Sequence, residues 1–415
     1  MLLGKNTNDI VYGEWKAVTP SEATNGTYGT TGEVKSLEWI SSYNTLMVGG
    51  EFKNFISGSQ EILMNSIAKF NGNWSGLTSG GAGATTGVLR TSPDSLGIVW
   101  SIRDISHNGT SYIVLIGGNF DQAGYLSRSG LNIAQYSMDS GWTGNADTFA
   151  ADDTVFNISN VAYSSSSGAT AYISGFFSDV GGTQNIFSPN IAAYYRNFDT
   201  NTGNFPNTSG SGIAVSIGLN FDIVYHSSVY DSQMFVYGID NTLLTQSLKS
   251  YNPLDYTLID EQFLNNVGVD NEVFATAVNV VTSSPPTGSL YLSTAPVVKY
   301  SYSPNIKAST LLTGSSIDDY VTCVNKVFYN SGTQLIIGAV GAGINNNPII
   351  FYNIASGNIK PIPFPDSSGG VRVNSIAVDD NTGTVYVGGS FEFRDSDGNT
   401  AWNVAKFVPD PSKLP

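Results

Sequence analysis

A short pattern that returns along the whole chain constrains the fold more than any bulk property. Four segments end a hydrophobic run in a Gly-Phe signature: Val48-Gly-Gly-Glu-Phe52, Ile116-Gly-Gly-Asn-Phe120, Ile173-Ser-Gly-Phe-Phe177 and Val387-Gly-Gly-Ser-Phe391. After a polar loop each is followed by a second short run, Ile67-Ala-Lys-Phe70, Ile133-Ala-Gln-Tyr136, Ile191-Ala-Ala-Tyr194 and Val404-Ala-Lys-Phe407. Weaker copies lie between the third and the last. Met234–Gly238, Leu290–Leu292 and Leu335–Gly338 are followed by Leu248–Tyr251, Val297–Tyr300 and Ile349–Tyr352. The closing aromatic thus falls at 70, 136, 194, 251, 300, 352 and 407. A fixed supersecondary unit repeated at such a period marks a repeat architecture, because one unit cannot bury its apolar face alone.

Each unit carries an alternating strand before the Gly-Gly run, as in Val34–Ile40, Ile158–Tyr163 and Val373–Val378. A tight turn joins the two, clearest in His107-Asn-Gly-Thr110 and Asp379–Thr384, where Asn-Gly and Thr-Gly supply the positive φ of a hairpin. A fourth strand follows the aromatic, as in Trp74–Leu77 and Ile359–Ile362. Four antiparallel strands repeated in this way predict an all-β chain, a single seven-bladed β-propeller. The expected blades run approximately over 33–77, 98–143, 156–206, 219–260, 272–313, 320–363 and 371–408, within one domain spanning 1–415. After Phe407 come three prolines, at 409, 411 and 415, which disfavour a fourth strand there. Glu14-Trp-Lys-Ala-Val18 resembles the outer strand at Trp74, so residues 10–18 are expected to complete blade 7 and close the ring.

Composition fits this reading and narrows the function. The chain of 415 residues is 41% hydrophobic, enough for an extensive core, and only 12% charged, about half the usual share. Its net charge of −15 and its 18 scattered Lys and Arg argue against a phosphate-tracking surface, hence against nucleic acid. No run approaches the roughly 20 apolar residues of a membrane-spanning helix, so membrane insertion is not expected. Met1 to Asp9 lacks the apolar centre of a signal peptide. One cysteine, Cys323, rules out an intrachain disulfide and a thiolate-rich metal site, and its alternating surroundings predict an inner strand.

The Gly-Gly-x-Phe run, loop and Asn-Ile-Ala-x-aromatic order resemble the repeats of the delta-60 and Rax2-like propeller families, and more distantly kelch and WD propellers. The resemblance covers blades 1, 2, 3 and 7; blades 4 to 6 have lost the Gly-Gly-x-Phe core. It implies a structural scaffold of secreted, surface or virion proteins, with no shared catalytic residue. A virion or extracellular location is the expectation.

Few residues point to chemistry. Two histidines, His107 and His226, are expected in hairpin turns, too few for a His-based triad or metal cage. Asp395, Asp397 and Asn399 place alternating oxygens around a glycine, a weak calcium candidate against the plainer reading of a polar loop. No other cofactor is expected, and neither is enzymatic activity. Sequons stand at Asn25, Asn73, Asn108, Asn157 and Asn207. The pairs Met64-Asn65, Leu131-Asn132 and Trp402-Asn403 recur just before the third strand, where Asn is expected to bond local backbone.

The loops between second and third strands are long in blades 7, 1, 2 and 3, and they carry Phe55, Ile62, Tyr125, Leu126, Ile186, Phe187 and Phe393. With the insert Thr78 to Gly97 they are expected to raise one side of one face, as a surface for a protein partner. The competing expectation is that these side chains fold back over the blade ends. A carbohydrate-binding propeller using Trp100, Trp142 or Trp402 as stacking platforms is the alternative function. A glycoside hydrolase with acids in the central channel comes third.

Overall fold

The computed structural model describes residues 13–410 except for segments between strands, the longest being 197–212 and 264–275; from 260 to 348 it gives the course of the backbone strands. The chain is all-β, and among the described residues no helix is long and apolar enough to cross a membrane. In chain order, the first four-stranded antiparallel sheet runs Glu33–Ile40, Thr45–Glu51, Ile67–Phe70, Trp74–Gly76. The second follows as Ile98–Asp104, Ile113–Asn119, Ile133–Ser137, Gly141–Thr143. Further sheets of the same order start at Val155, Phe221, Thr276 and Val321. The last takes Val371–Asp379, Thr384–Arg394 and Thr400–Pro409 from the C-terminal end and Gly13–Ala17 from the N-terminal end. There Trp15 lies opposite Phe407 and Lys16 opposite Lys406. Cys323 lies in the first strand of the sixth sheet, opposite Gly338.

Apolar clusters sit between consecutive sheets. One joins Ile349, Phe351 and Ile362 to Val385, Phe407 and Trp15; the next joins Ala377 and Tyr386 to Val34, Leu46, Phe70 and Trp74. Others link the first sheet to the second, the second to the third, and the third to the fourth. The first strand of each sheet lies against that of the next, and that of the seventh against that of the first.

The Gly-Gly pair explains how the sheets approach so closely. A Cβ at the first glycine would collide with the next sheet: at Gly49 with Val99 Cγ1 at 2.4 Å, at Gly117 with Val155 Cγ1 at 2.7 Å, at Gly388 with Val34 Cγ1 at 2.4 Å. A Cβ at the second would meet a carbonyl of its own sheet: Gly50 with Glu33 O at 2.2 Å, Gly118 with Ile98 O at 2.0 Å, Gly389 with Arg372 O at 1.9 Å. That carbonyl is turned by a β-bulge in the first strand. The register shifts between Val34 and Ser36, Val99 and Ser101, Val155 and Asn157, Val224 and His226, Val321 and Cys323, and Val373 and Ser375. A bulge adds one unpaired residue and kinks the strand.

The residue after the bulge ties neighbouring sheets. Ser36 Oγ accepts from Ile102 N at 3.0 Å, Ser101 Oγ from Ile158 N at 3.0 Å, Asn157 Oδ1 from Ser227 N at 3.1 Å and Ser375 Oγ from Leu37 N at 2.9 Å. The sequon at Asn157 is therefore occupied by a buried structural side chain. His226 holds the corresponding place in the fourth sheet. It is buried within Phe221–Tyr230, not in the expected turn, because the strand runs on past it to Tyr230 before reversing. His107 lies outside the described residues.

Asn132 and Asn403 bond local backbone as their position suggested, Asn190 does the same, and Asn65 reaches instead to Thr86. Asn65, Asn132, Asn190 and Asn403 all adopt left-handed backbone, with φ of 49°, 45°, 65° and 61°. The side-chain oxygens of the last three accept from the N–H of Phe120, Phe177 and Phe391. Their amide nitrogens donate into the approach to the next sheet, to Ala151 O, Phe221 O and Thr30 O; Asn65 donates likewise to Thr86 O. The outer-strand tryptophans form a second set of ties. Trp15 Nε1 donates to Pro363 O, Trp74 Nε1 to Val18 O and Trp142 Nε1 to Leu77 O, each reaching just past the outer strand of the preceding sheet. Each such bond is worth about 1 kcal/mol net, and more is lost when a buried partner is orphaned.

Candidate functional site

The long loops fold into small sheets at one end of the strands. Thr27–Thr30 pairs with Asn54–Gly58, which forms a hairpin with Gln60–Leu63, and it also runs parallel to Thr400–Trp402. Val88–Arg90 and Ser95–Leu96, from the insert after the first sheet, pair with each other, and Val88–Arg90 also pairs with Gln122–Ala123 of the second sheet's long loop. In the third, Asp179–Val180 pairs with Ile186–Phe187, and Ala151 bridges to Val180. In the seventh the expected loop is itself strand: the second and third strands continue as a hairpin to Arg394 and Thr400.

This folding decides which of the expected contact residues reach solvent. Phe55 is fully buried and stacked on Trp74 with centroids 3.8 Å apart. Phe393 is buried against Phe364 at 4.8 Å, and Leu126 is buried in the cluster between the first two sheets. These three are core, because the loops pair as strands and turn one face inward. Ile62 and Ile186 pack partly buried against neighbouring clusters. Phe187 remains 67% exposed, and Tyr125 lies outside the described residues. Leu63 and Phe176, half exposed on the same loop layer, carried no signal beyond their apolar character.

The segment 395–399 is the tip of the seventh sheet's hairpin, and its oxygens are engaged by N–H donors. Asp395 Oδ1 accepts from Asp397 N at 3.0 Å and Asn399 N at 2.8 Å, while Oδ2 accepts from Ala17 N at 3.1 Å. Asn399 Oδ1 accepts from Gly26 N at 3.2 Å, and Asp397 Oδ2 takes Lys16 Nζ at 2.9 Å. Through these bonds the loop grips the N-terminal segment. Among the described residues no group of three or more His, Cys, Asp and Glu is placed to hold a metal. The Asp397 hydrogen bond holds the Lys16 ammonium above its ordinary pKa; burial, and Lys16 directly opposite, push Lys406 below.

Of the three tryptophans considered as platforms, Trp142 is buried edge-on to Tyr136 and is part of the core. Trp402 and Trp100 are half buried. Trp100 sits at a bulge, with Lys35 Nζ 5.1 Å from its ring centroid and Phe156 at 6.0 Å.

His226 is a strongly perturbed titratable group in the described interior. Burial first, and the nearby Arg103 charge second, lower its pKa to about 3, and Nδ1 has no hydrogen-bond partner. The unfolded chain binds a proton near pH 6.5 that the folded chain refuses. Stability from this residue is therefore complete above about 6.5 and falls as pH drops toward 3. We expect a loss of about 2 kcal/mol between pH 7 and pH 5. Urea unfolding of wild type and His226→Asn at both pH values checks it; an equal pH slope in the two proteins would refute the assignment.

Two of the solved structures to which this chain is similar are WD40 β-propellers. It is similar to the WD40 repeats of RRP9, at a TM-score of 0.49 and 10% identity over 95% of this chain and 99% of that one. It is similar also to the WD40 β-propeller domain of Doa1, at a TM-score of 0.43 and 10% identity over 95% of this chain and 100% of that one. No family model and no curated protein matches the sequence.

Proposed function

We propose that the chain is one closed seven-bladed propeller acting as a non-enzymatic interaction scaffold without a cofactor, with a protein partner bound on the loop layer of blades 7, 1, 2 and 3. Closure is supported by the cyclic order of first strands, and by Asn403 and Ser375 reaching from the last sheet to the first. The partner surface is carried by one observation. The loop layer is ordered by its own β-pairing, yet it leaves Phe187, Phe176 and Leu63 at least half exposed. Rigid loops that display large apolar side chains are where binding concentrates. A surface poor in charge and rich in Gly, Ser, Thr and Asn suits a virion or extracellular component, which is the location this reading favours.

The test is affinity capture from the native source with wild type, Phe187→Glu and, at the opposite end of the strands, Asn381→Lys. Loss of one defined set of partners with Phe187→Glu alone is expected, with stability changed by no more than about 0.5 kcal/mol. Equal capture by all three proteins would remove the loop layer from consideration.

A further inference from the structure

The bulges of the first strands place their extra residues side by side on consecutive sheets: Lys35, Trp100, Phe156 and Tyr225. Lys35 Nζ lies 5.1 Å from the Trp100 centroid, Trp100 meets Phe156 at 6.0 Å, and Phe156 meets Tyr225 at 6.5 Å. They form one continuous strip. The residues flanking each aromatic, Val99 and Ser101, Val155 and Asn157, Val224 and His226, are all buried. The aromatics between them are only half buried. An aromatic that served the core alone would be withdrawn like its neighbours. Here a backbone irregularity leaves it partly exposed on three sheets in succession, and bulges re-aim side chains in this way beside functional sites.

Next to the strip is a mixed hydrogen-bonding group. Glu33 Oε2 takes Lys35 Nζ at 2.6 Å, Asn374 Nδ2 donates to Glu33 Oε1 at 2.7 Å, and Arg372 Nε lies 3.8 Å from Glu33 Oε1. We propose that this strip and its polar end form a saccharide-binding site, with Trp100 and Phe156 as ring platforms. A sugar presents a C–H face to aromatic rings and hydroxyls that both donate and accept, which matches rings beside amide, carboxylate and ammonium groups. Stacked nucleobases would bring phosphate to a chain of net charge −15, a poor match. The site is independent of the loop-layer partner surface, because none of its residues belongs to those loops.

The experiment probes the full chain with a printed array of neutral and acidic oligosaccharides, then titrates the best oligosaccharide calorimetrically. Saturable binding is expected, weakened at least tenfold in Trp100→Ala and in Phe156→Ala, partly restored in Trp100→Phe, and unchanged in Phe187→Glu. Thermal melts of each variant establish that it is folded, and Lys35→Met, which leaves the rings intact, should weaken binding if an alanine variant does not fold. An array with no saturable hit overturns the proposal. So does a hit whose affinity is the same in every folded strip variant, or one lost only with Phe187.

Discussion

Alanine at Gly389 is expected to destabilise the chain by about 3 kcal/mol or more, or to prevent folding outright. The added methyl carbon would stand 1.9 Å from Arg372 O and 2.9 Å from Val373 Cα. Both are backbone, so no side chain can swing aside. The carbonyl is where it is because Asn374 is the extra residue of the bulge between Val373 and Ser375, and Ser375 accepts the N–H of Leu37 from the first sheet. Moving the carbonyl therefore disturbs the tie between the last sheet and the first. Gly370 is the internal control, with nothing within 4 Å of a built Cβ. Alanine there should be neutral or stabilising by up to about 1 kcal/mol, through reduced freedom of the unfolded chain. Urea midpoints of the two variants decide the matter, and a Gly389→Ala protein within 1 kcal/mol of wild type would show that the close approach is not a native constraint.

The glycine argument also shows what sequence reading reaches. The Gly-Gly-x-Phe repeats located the strands because a Cβ is excluded where the next sheet's valine or a bulged carbonyl crowds the backbone, and that exclusion is visible as glycine. The asparagines at 65, 132 and 403 were visible for a similar reason: a left-handed corner that also needs a donor and an acceptor selects Asn. The bulge was not visible. Lys35, Trp100, Phe156 and Tyr225 share a backbone position, but an aromatic in a strand is ordinary in sequence and Lys35 breaks the pattern, so only register exposes them as a set. His226 reads as a turn residue because its strand of ten residues runs longer than the first strands of the clear repeats. Phe55, Leu126 and Phe393 lie in segments that read as loops, and a loop has no periodicity to decide between an exposed and an inward-folded side chain. Once those loops pair as strands, alternate residues turn inward, and these three are among them.

The N-terminal strand carries the other large effect, and Trp15→Ala is expected to cost about 4 kcal/mol. Trp15 is 5% exposed and packs against Phe364 at 4.4 Å and Phe407 at 5.3 Å, with Phe393 at 6.3 Å. Its indole N–H also satisfies Pro363 O at 2.9 Å, a bond that alanine forfeits. The surface pairs of Lys16 with Asp397 and Glu14 contribute little beside this, since exposed ion pairs are worth at most about 1 kcal/mol. Trp15→Phe should recover most of the packing and lose chiefly the hydrogen bond, about 1 kcal/mol. If the strand were a loose appendage, neither variant would shift the main unfolding transition. If it completes the last sheet, Trp15→Ala lowers that single transition and also exposes the edge of Thr400–Pro409. An unpaired edge of that length recruits other chains. Concentration-dependent association of Trp15→Ala near its lowered melting temperature, and its absence in Lys16→Ala, is therefore the second half of the expected result.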